Sequence, residues 1–210
     1  MDVMARLPDK SVDLAIVDPE YGMNVNMNCG RRKHEDNFFD QKKWDKKPPD
    51  NKYFIELFRI SKLQIIWGAN NFDLKSPGWI IWDKQITGDV KFSGCELAYT
   101  NFLGHNEIFR YSIQSNRYKE SRPIHPTQKP IALYKWLLSK YAKPGWLILD
   151  THVGSASSLI ACEDMGFDYI ACELDADYYR ESCERIATFR TQPKLFEEIT
   201  DEFVQPTIDI

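Results

Sequence analysis

The chain has 210 residues, with 27 Lys and Arg against 31 Asp and Glu, a formal net charge of -4, and 43% hydrophobic and 28% charged residues. That length fits a single domain, 1–210, with a core of its own, and no apolar run approaches the roughly 18 residues a membrane helix needs. The opening MDVMARLPDK lacks the layout of a signal peptide and the five cysteines form no C-x-x-C pair, so a soluble cytoplasmic chain without a disulfide framework or cysteine zinc site is expected.

In chain order, MDVMARL reads as the end of a helix and SVDLAIVD as a buried strand, short, rich in Val and Ile, and closed by Asp18-Pro19. Residues 24–50 show no apolar period and are crowded with Asn, Lys, Asp and Pro, which predicts a long mobile loop. DNKYFIELFRISK places Tyr53, Phe54, Leu57, Phe58 and Ile60 at helical spacing behind a cap at Asp50 or Asn51. LQIIWGA, GWIIWDK and CELAYTNF are strand-like, the last two separated by a polar stretch from Gln85 to Gly94. Irregular sequence containing SNRYKESRPIHPTQKP leads into a helix over IALYKWLLSKYA that stops before Pro144-Gly145. WLILD is a strand, SASSLIACEDMG a helix ended by Gly166, DYIACEL a strand, and DADYYRESCERIATF a helix capped by Asp175.

Strands alternating with helices predict an α/β fold, a doubly wound, mostly parallel sheet with helices on both faces. Such sheets bind ligands at the carboxyl ends of their strands. Here three of those ends carry an acid: Asp18, Asp150 and Glu173. After Asp150, Gly154 lets the backbone approach a ligand, and Ser155, Ala156 and Ser157 open a helix with its free N–H groups outward. Neither the phosphate loop G-x-x-x-x-G-K-[ST] nor the dinucleotide pattern G-x-G-x-x-G is present, so a nucleoside ligand without phosphate suits the turn better. Glu173 lies where doubly wound folds place an acid on ribose hydroxyls. An ordinary strand, turn and helix with a capping acid is the alternative.

The blocks DPEY (Asp18 to Tyr21), HPTQKP (His125 to Pro130) and LDTHVGSAS (Leu149 to Ser157) resemble the signatures of S-adenosylmethionine-dependent DNA amino-methyltransferases. Their order, catalytic block first and cofactor block last, resembles the beta class. The surrounding IIWGANNF, WDK, CELAYT and ALYKWLLSKYAKPG are similar to the small phage and prophage enzymes of that kind. The resemblance implies a Rossmann-like methyltransferase fold with circularly permuted motif order, and methyl transfer to an exocyclic amine. Adenine N6 is preferred because the D-P-x-Y form accompanies adenine more often, with cytosine N4 as the alternative. It further implies catalytic roles for Asp18 and the Pro19 carbonyl as acceptors of hydrogen bonds from the amine, and for Tyr21 as a stacking face for a base flipped out of double-stranded DNA. By the same resemblance S-adenosylmethionine lies near Asp150, Gly154 and Ser155, its ribose on Glu173, with His125, Thr127 and Lys129 from the second block. Lys129 is expected at the methionine carboxylate.

Lys and Arg outnumber Asp and Glu by 20 to 17 over residues 1–130 and are outnumbered 7 to 14 over 131–210, so a polyanion is expected to meet the first part of the chain. Arg31, Arg32, Lys33 and Lys46, interleaved with Phe38, Phe39 and Trp44, suit phosphates and unstacked bases. Arg110, Arg117, Lys119 and Arg122 form a second patch, and residues 84–122 are expected as a small target-recognition insertion.

Three departures stand out from the family pattern. Glu20 replaces a second proline, Thr151 and His152 stand where Pro and Phe are usual, and Ala156 replaces a second glycine. A strand that normally precedes the region matching MDVMARLPDKS is also expected to be missing. A sheet edge left uncovered would invite pairing with a second copy, a homodimer. These features keep open a relic that binds DNA or cofactor without turnover; an RNA or protein amine methyltransferase is a further alternative, disfavoured because those families generally run the blocks in the other order.

Overall fold

The structure is a computed structural model that describes residues 2–22, 47–86, 93–112 and 123–192. Its elements run α1 (Asp2–Arg6), β1 (Val12–Val17), α2 (Asn51–Ile60), β2 (Ser61–Trp67), β3 (Gly78–Asp83), β4 (Cys95–Thr100), β5 (Glu107–Arg110), α3 (Ile131–Tyr141), β6 (Leu147–Asp150), α4 (Ser157–Met165), β7 (Asp168–Ala171) and α5 (Ala176–Thr191). A turn of 3-10 helix, Ala69–Asn71, follows β2. None of the helices among the described residues is long and apolar enough to cross a membrane.

The strands form one sheet in the order β5-β3-β4-β2-β1-β6-β7. β1 pairs in parallel with both β2 and β6, and β4 alone runs antiparallel to its neighbours β2 and β3. This is the mostly parallel, Rossmann-like sheet expected. β1 is central, which explains its near-continuous burial: Leu14 and Ile16 enter one core, Ala15 and Val17 the opposite one. The first core is closed by α3 and α4, through residues such as Leu133, Leu137 and Cys162. The second is closed by α1 and α2, where Tyr53, Phe54, Leu57 and Ile60 form the buried stripe. Asp50 caps α2, its carboxylate accepting from the Tyr53 amide at 3.1 Å, which is worth about 1 kcal/mol.

The chain winds from β1 toward β2 on one side and from β6 toward β7 on the other. The carboxyl ends of β1 and β6 therefore flank the point where the winding reverses, where a crevice opens in folds of this kind.

One difference from the sequence expectations falls within residues 84–122. Within that range the described residues, 84–86 and 93–112, include β4, over the strand expected at CELAYTNF, and β5. β5 was not expected at all. It has four residues, alternating half-buried and exposed, and charged ends, so only its pairing with β3 distinguishes it from a loop. The loop expectation for 24–50 and the candidate DNA contacts Arg31, Arg32, Lys33, Lys46, Arg117 and Arg122 lie outside the described residues, apart from 47–50. Of the second patch, Arg110 is described, with Nε 3.6 Å from Asp83.

Candidate active site

Asp18 is the first residue beyond β1 and Asp150 the last of β6, so the parallel register Leu14 to Ile148 and Ala15 to Leu149 delivers both carboxylates to the same end of the sheet. Between them lies a cleft of about 730 Å³, including its part open to solvent. One wall holds Asp18 and Glu20. Another is the turn Thr151 to Ser155, and His125, Thr127 and Lys129 close the side before α3. Residues more than a hundred apart in sequence thus share one cavity.

Asp18 is fixed on both oxygens. The Tyr21 hydroxyl donates to Oδ1 at 2.6 Å, and the Lys129 ammonium donates to Oδ2. Tyr21 reaches this position because its ring lies directly over Gly68: a Cβ on Gly68 would come within 1.9 Å of the Tyr21 ring, and φ there is +65°. Glycine is required at that position on both counts. The ring also meets Phe72 edge to face, with centroids 6.2 Å apart. Burial pushes the Asp18 carboxyl up and the nearby charge of Glu96 adds to this, while Lys129 and Tyr21 work against it.

Asp150 is almost fully buried. Its Oδ2 accepts from the Ser158 hydroxyl at 2.5 Å and its Oδ1 from the His152 amide at 2.9 Å. These bonds do not offset desolvation, and with the charges of Asp18 and Glu173 nearby the carboxyl is pushed up to about 6. Glu173 tightens the turn, one oxygen accepting from the Gly154 amide at 2.8 Å and the other from the Asp175 amide at 2.9 Å. Gly154 has φ +51° and faces the His125 ring, which stacks edge-on against Tyr178 at 4.4 Å. Thr127 is exposed, its hydroxyl 3.1 Å from His125 Nδ1. Ser155 is buried, and its carbonyl accepts from Arg185 of α5 at 2.6 Å.

Three of the residues that depart from the expected blocks, Glu20, Thr151 and His152, also meet here. Thr151 Oγ1 lies 2.7 Å from the Tyr53 hydroxyl and 2.9 Å from His152 Nδ1, and His152 Nε2 lies 3.5 Å from Glu20. Burial holds the imidazole down at about 4, so near neutral pH this last contact is made by an uncharged ring.

Residues 81–184 match the family described as DNA methylase, of the N6 and N4 type. Over that stretch the chain is similar to DNA methylases. A putative methylase of Escherichia coli, YubD, is 25% identical over 202 residues, covering 88% of this chain and 86% of the relative. Among solved structures, a putative DNA modification methylase of Thermus thermophilus, in complex with S-adenosyl-L-methionine, superposes with a TM-score of 0.53 at 18% identity, over 90% of this chain and 92% of that one. The PvuII DNA methyltransferase, which is cytosine-N4-specific, gives 0.55 at 11% identity, over 92% and 84%. At such identities the structural likeness speaks to the fold.

Within the chain, Asp18, His125, Thr127, Lys129, Gly154, Ser155 and Glu173 line one cleft, Pro19 is buried next to Asp18, and Tyr21 and Asp150, at the two strand ends, are not among the lining residues. Lys129 has partners other than those expected. Its ammonium is turned onto Asp18 and Glu96, with the side chain only 3% accessible, because a buried cation needs carboxylates within reach. Sequence reasoning missed Glu96, Lys84, Tyr53, Ser158 and Arg185. The first two stood in the quoted blocks CELAYT and WDK, but only strand pairing reveals which face they occupy.

Proposed function

We propose that the protein transfers a methyl group from S-adenosylmethionine to an exocyclic amine in double-stranded DNA, adenine N6 by preference. The observation that carries this reading is the convergence of Asp18 and the turn at Gly154 on one cleft, at the reversal point of the sheet. The chemistry of the lining supports the cofactor. Asp18, Glu20, Glu173 and Asp175 border the cleft, an acidic surround suited to a ligand with a sulfonium and an ammonium. S-adenosylmethionine, when bound, supplies a methyl group on a positively charged sulfur. Glu173 keeps acceptor capacity on both oxygens for ribose hydroxyls, since each already accepts only one backbone bond. Gly154 and Ser155 form the floor against the methionine part.

An exocyclic amine is a weak nucleophile because its lone pair is delocalised into the base. Asp18 accepts hydrogen bonds from it as positive charge develops, with the Pro19 carbonyl as second acceptor, and takes up the proton the methylated nitrogen sheds. Tyr21 and Lys129 hold the carboxylate still, so little reorganisation accompanies the reaction. Tyr21 offers a ring for the extruded base, a contact worth about 1–3 kcal/mol, comparable to the unstacking cost.

The test is incubation of unmethylated DNA with radiolabelled S-adenosylmethionine, followed by nucleoside analysis, with Asp18→Ala as control. N6-methyladenine that disappears in the variant supports the reading, and N4-methylcytosine would move the target to the other amine. Label incorporation that survives loss of Asp18 would remove it from the catalytic role. Binding of cofactor without transfer would support the relic.

A further inference from the structure

Lys129 belongs to a row of alternating charges. Lys84 Nζ lies 2.8 Å from Glu96 Oε1, and Glu96 Oε2 lies 3.0 Å from Lys129 Nζ, an ion pair whose alignment falls short of a hydrogen bond. Lys129 then donates to Asp18, whose other oxygen is held by Tyr21. The row joins the residue after β3, a residue of β4, the segment leading into α3 and the end of β1, and Lys129 also lies over the Trp67 ring at 5.5 Å. The four charged side chains are between 3% and 22% accessible, so water screens them little.

One lysine on Asp18 would suffice to keep it ionised, and would also quench its basicity. A second carboxylate on the same lysine divides the cation's pull, and a second lysine holds that carboxylate ionised. We propose that Glu96 and Lys84 are positioning residues for methyl transfer: acting through Lys129, they hold Asp18 as an oriented carboxylate that stays ionised yet remains able to accept a proton. The proposal rests on the methyl-transfer reading of the cleft.

The charges support this division. Burial alone would raise Glu96, but Lys129 and Lys84 outweigh it and hold the carboxyl at about 2. The same carboxylate and Asp18 keep Lys129 charged against its own desolvation. The other titratable groups felt at Asp18 are Tyr21 on its own loop, Tyr134 of α3 and Asp150 of β6, and none of the three variants below alters them.

The experiment compares Glu96→Gln and Lys84→Met, with Glu96→Asp as the conservative variant and thermal melting to select folded protein. Two readouts are taken: the acid limb of the kcat profile, and the titration of the Asp18 carboxyl carbon by NMR. Glu96→Gln is expected to move the Asp18 titration to lower pH by roughly one unit, because the full charge of Lys129 then falls on Asp18. Lys84→Met is expected to move it the opposite way, because Glu96 then leans wholly on Lys129. kcat is expected to fall on the order of ten-fold in each, with cofactor affinity within about two-fold of wild type and partial recovery in Glu96→Asp. Shifts of the same sign, or none, in folded variants overturn the proposal. If the wild-type protein transfers no methyl group, the enzymatic reading fails, while opposite NMR shifts would still establish the charge row.

Discussion

Replacing Asp150 by Asn tests whether the end of β6 trades stability for binding. The wild-type carboxyl is carried from an ordinary 3.8 to about 6, so the native fold disfavours the charged form by about 3 kcal/mol relative to the unfolded chain. The folded pKa is the higher of the two. Stability from this group is therefore fully present below the unfolded value and is lost as pH rises to about 6. At pH 5 roughly half of the penalty has accrued, and at pH 8 all of it. Asn does not titrate and still satisfies its neighbours: its oxygen can accept from the His152 amide, and its amide can donate to the Ser158 hydroxyl, which both donates and accepts. The variant is expected to be more stable than wild type at pH 8 by up to about 3 kcal/mol, with a gain at pH 5 smaller by roughly 1.4 kcal/mol. Urea unfolding at the two pH values measures this, and the slope with denaturant should be unchanged. The same variant is expected to bind S-adenosylmethionine more weakly, which calorimetry reads independently. A stability change identical at both pH values, or a loss of stability at pH 8, would refute the assignment of the penalty to a buried, ionising Asp150.

Three further outcomes follow from the same geometry. His152 is held down from 6.5 to about 4, so its stability contribution is present above 6.5 and lost as pH falls through that window, costing about 2 kcal/mol between pH 7 and pH 5; in His152→Phe that part of the acid-side loss of stability should vanish from urea titrations. Gly68→Ala combines a left-handed backbone with a clash on the Tyr21 ring, and is expected to lower methyl transfer by at least on the order of ten-fold while costing about 1–2 kcal/mol of stability; a variant of wild-type activity would disconnect Tyr21 from the reaction. Ala156 is a buried residue with φ +60°, so Ala156→Gly relieves about 1–2 kcal/mol of strain and forfeits about 0.8 kcal/mol for the methyl group, which predicts a melting temperature equal to or slightly above that of wild type.

The sequence by itself determined the succession of strands and helices, because apolar runs such as LAIV and the stripe Tyr53, Phe54, Leu57 and Ile60 are local patterns whose period states which face is buried. It also determined which strand ends carry acids, and so the end of the sheet at which the cleft lies. It could not determine β5, whose four residues become a strand only by pairing with β3. Above all it could not assign partners to Lys129. A motif fixes a residue's place along the chain, but a buried ammonium takes whichever carboxylates the fold brings within about 4 Å, and here those are Asp18 and Glu96, from strands separated in sequence by nearly eighty residues. Charge pairing depends on distance in space, and that is set only once the sheet has closed.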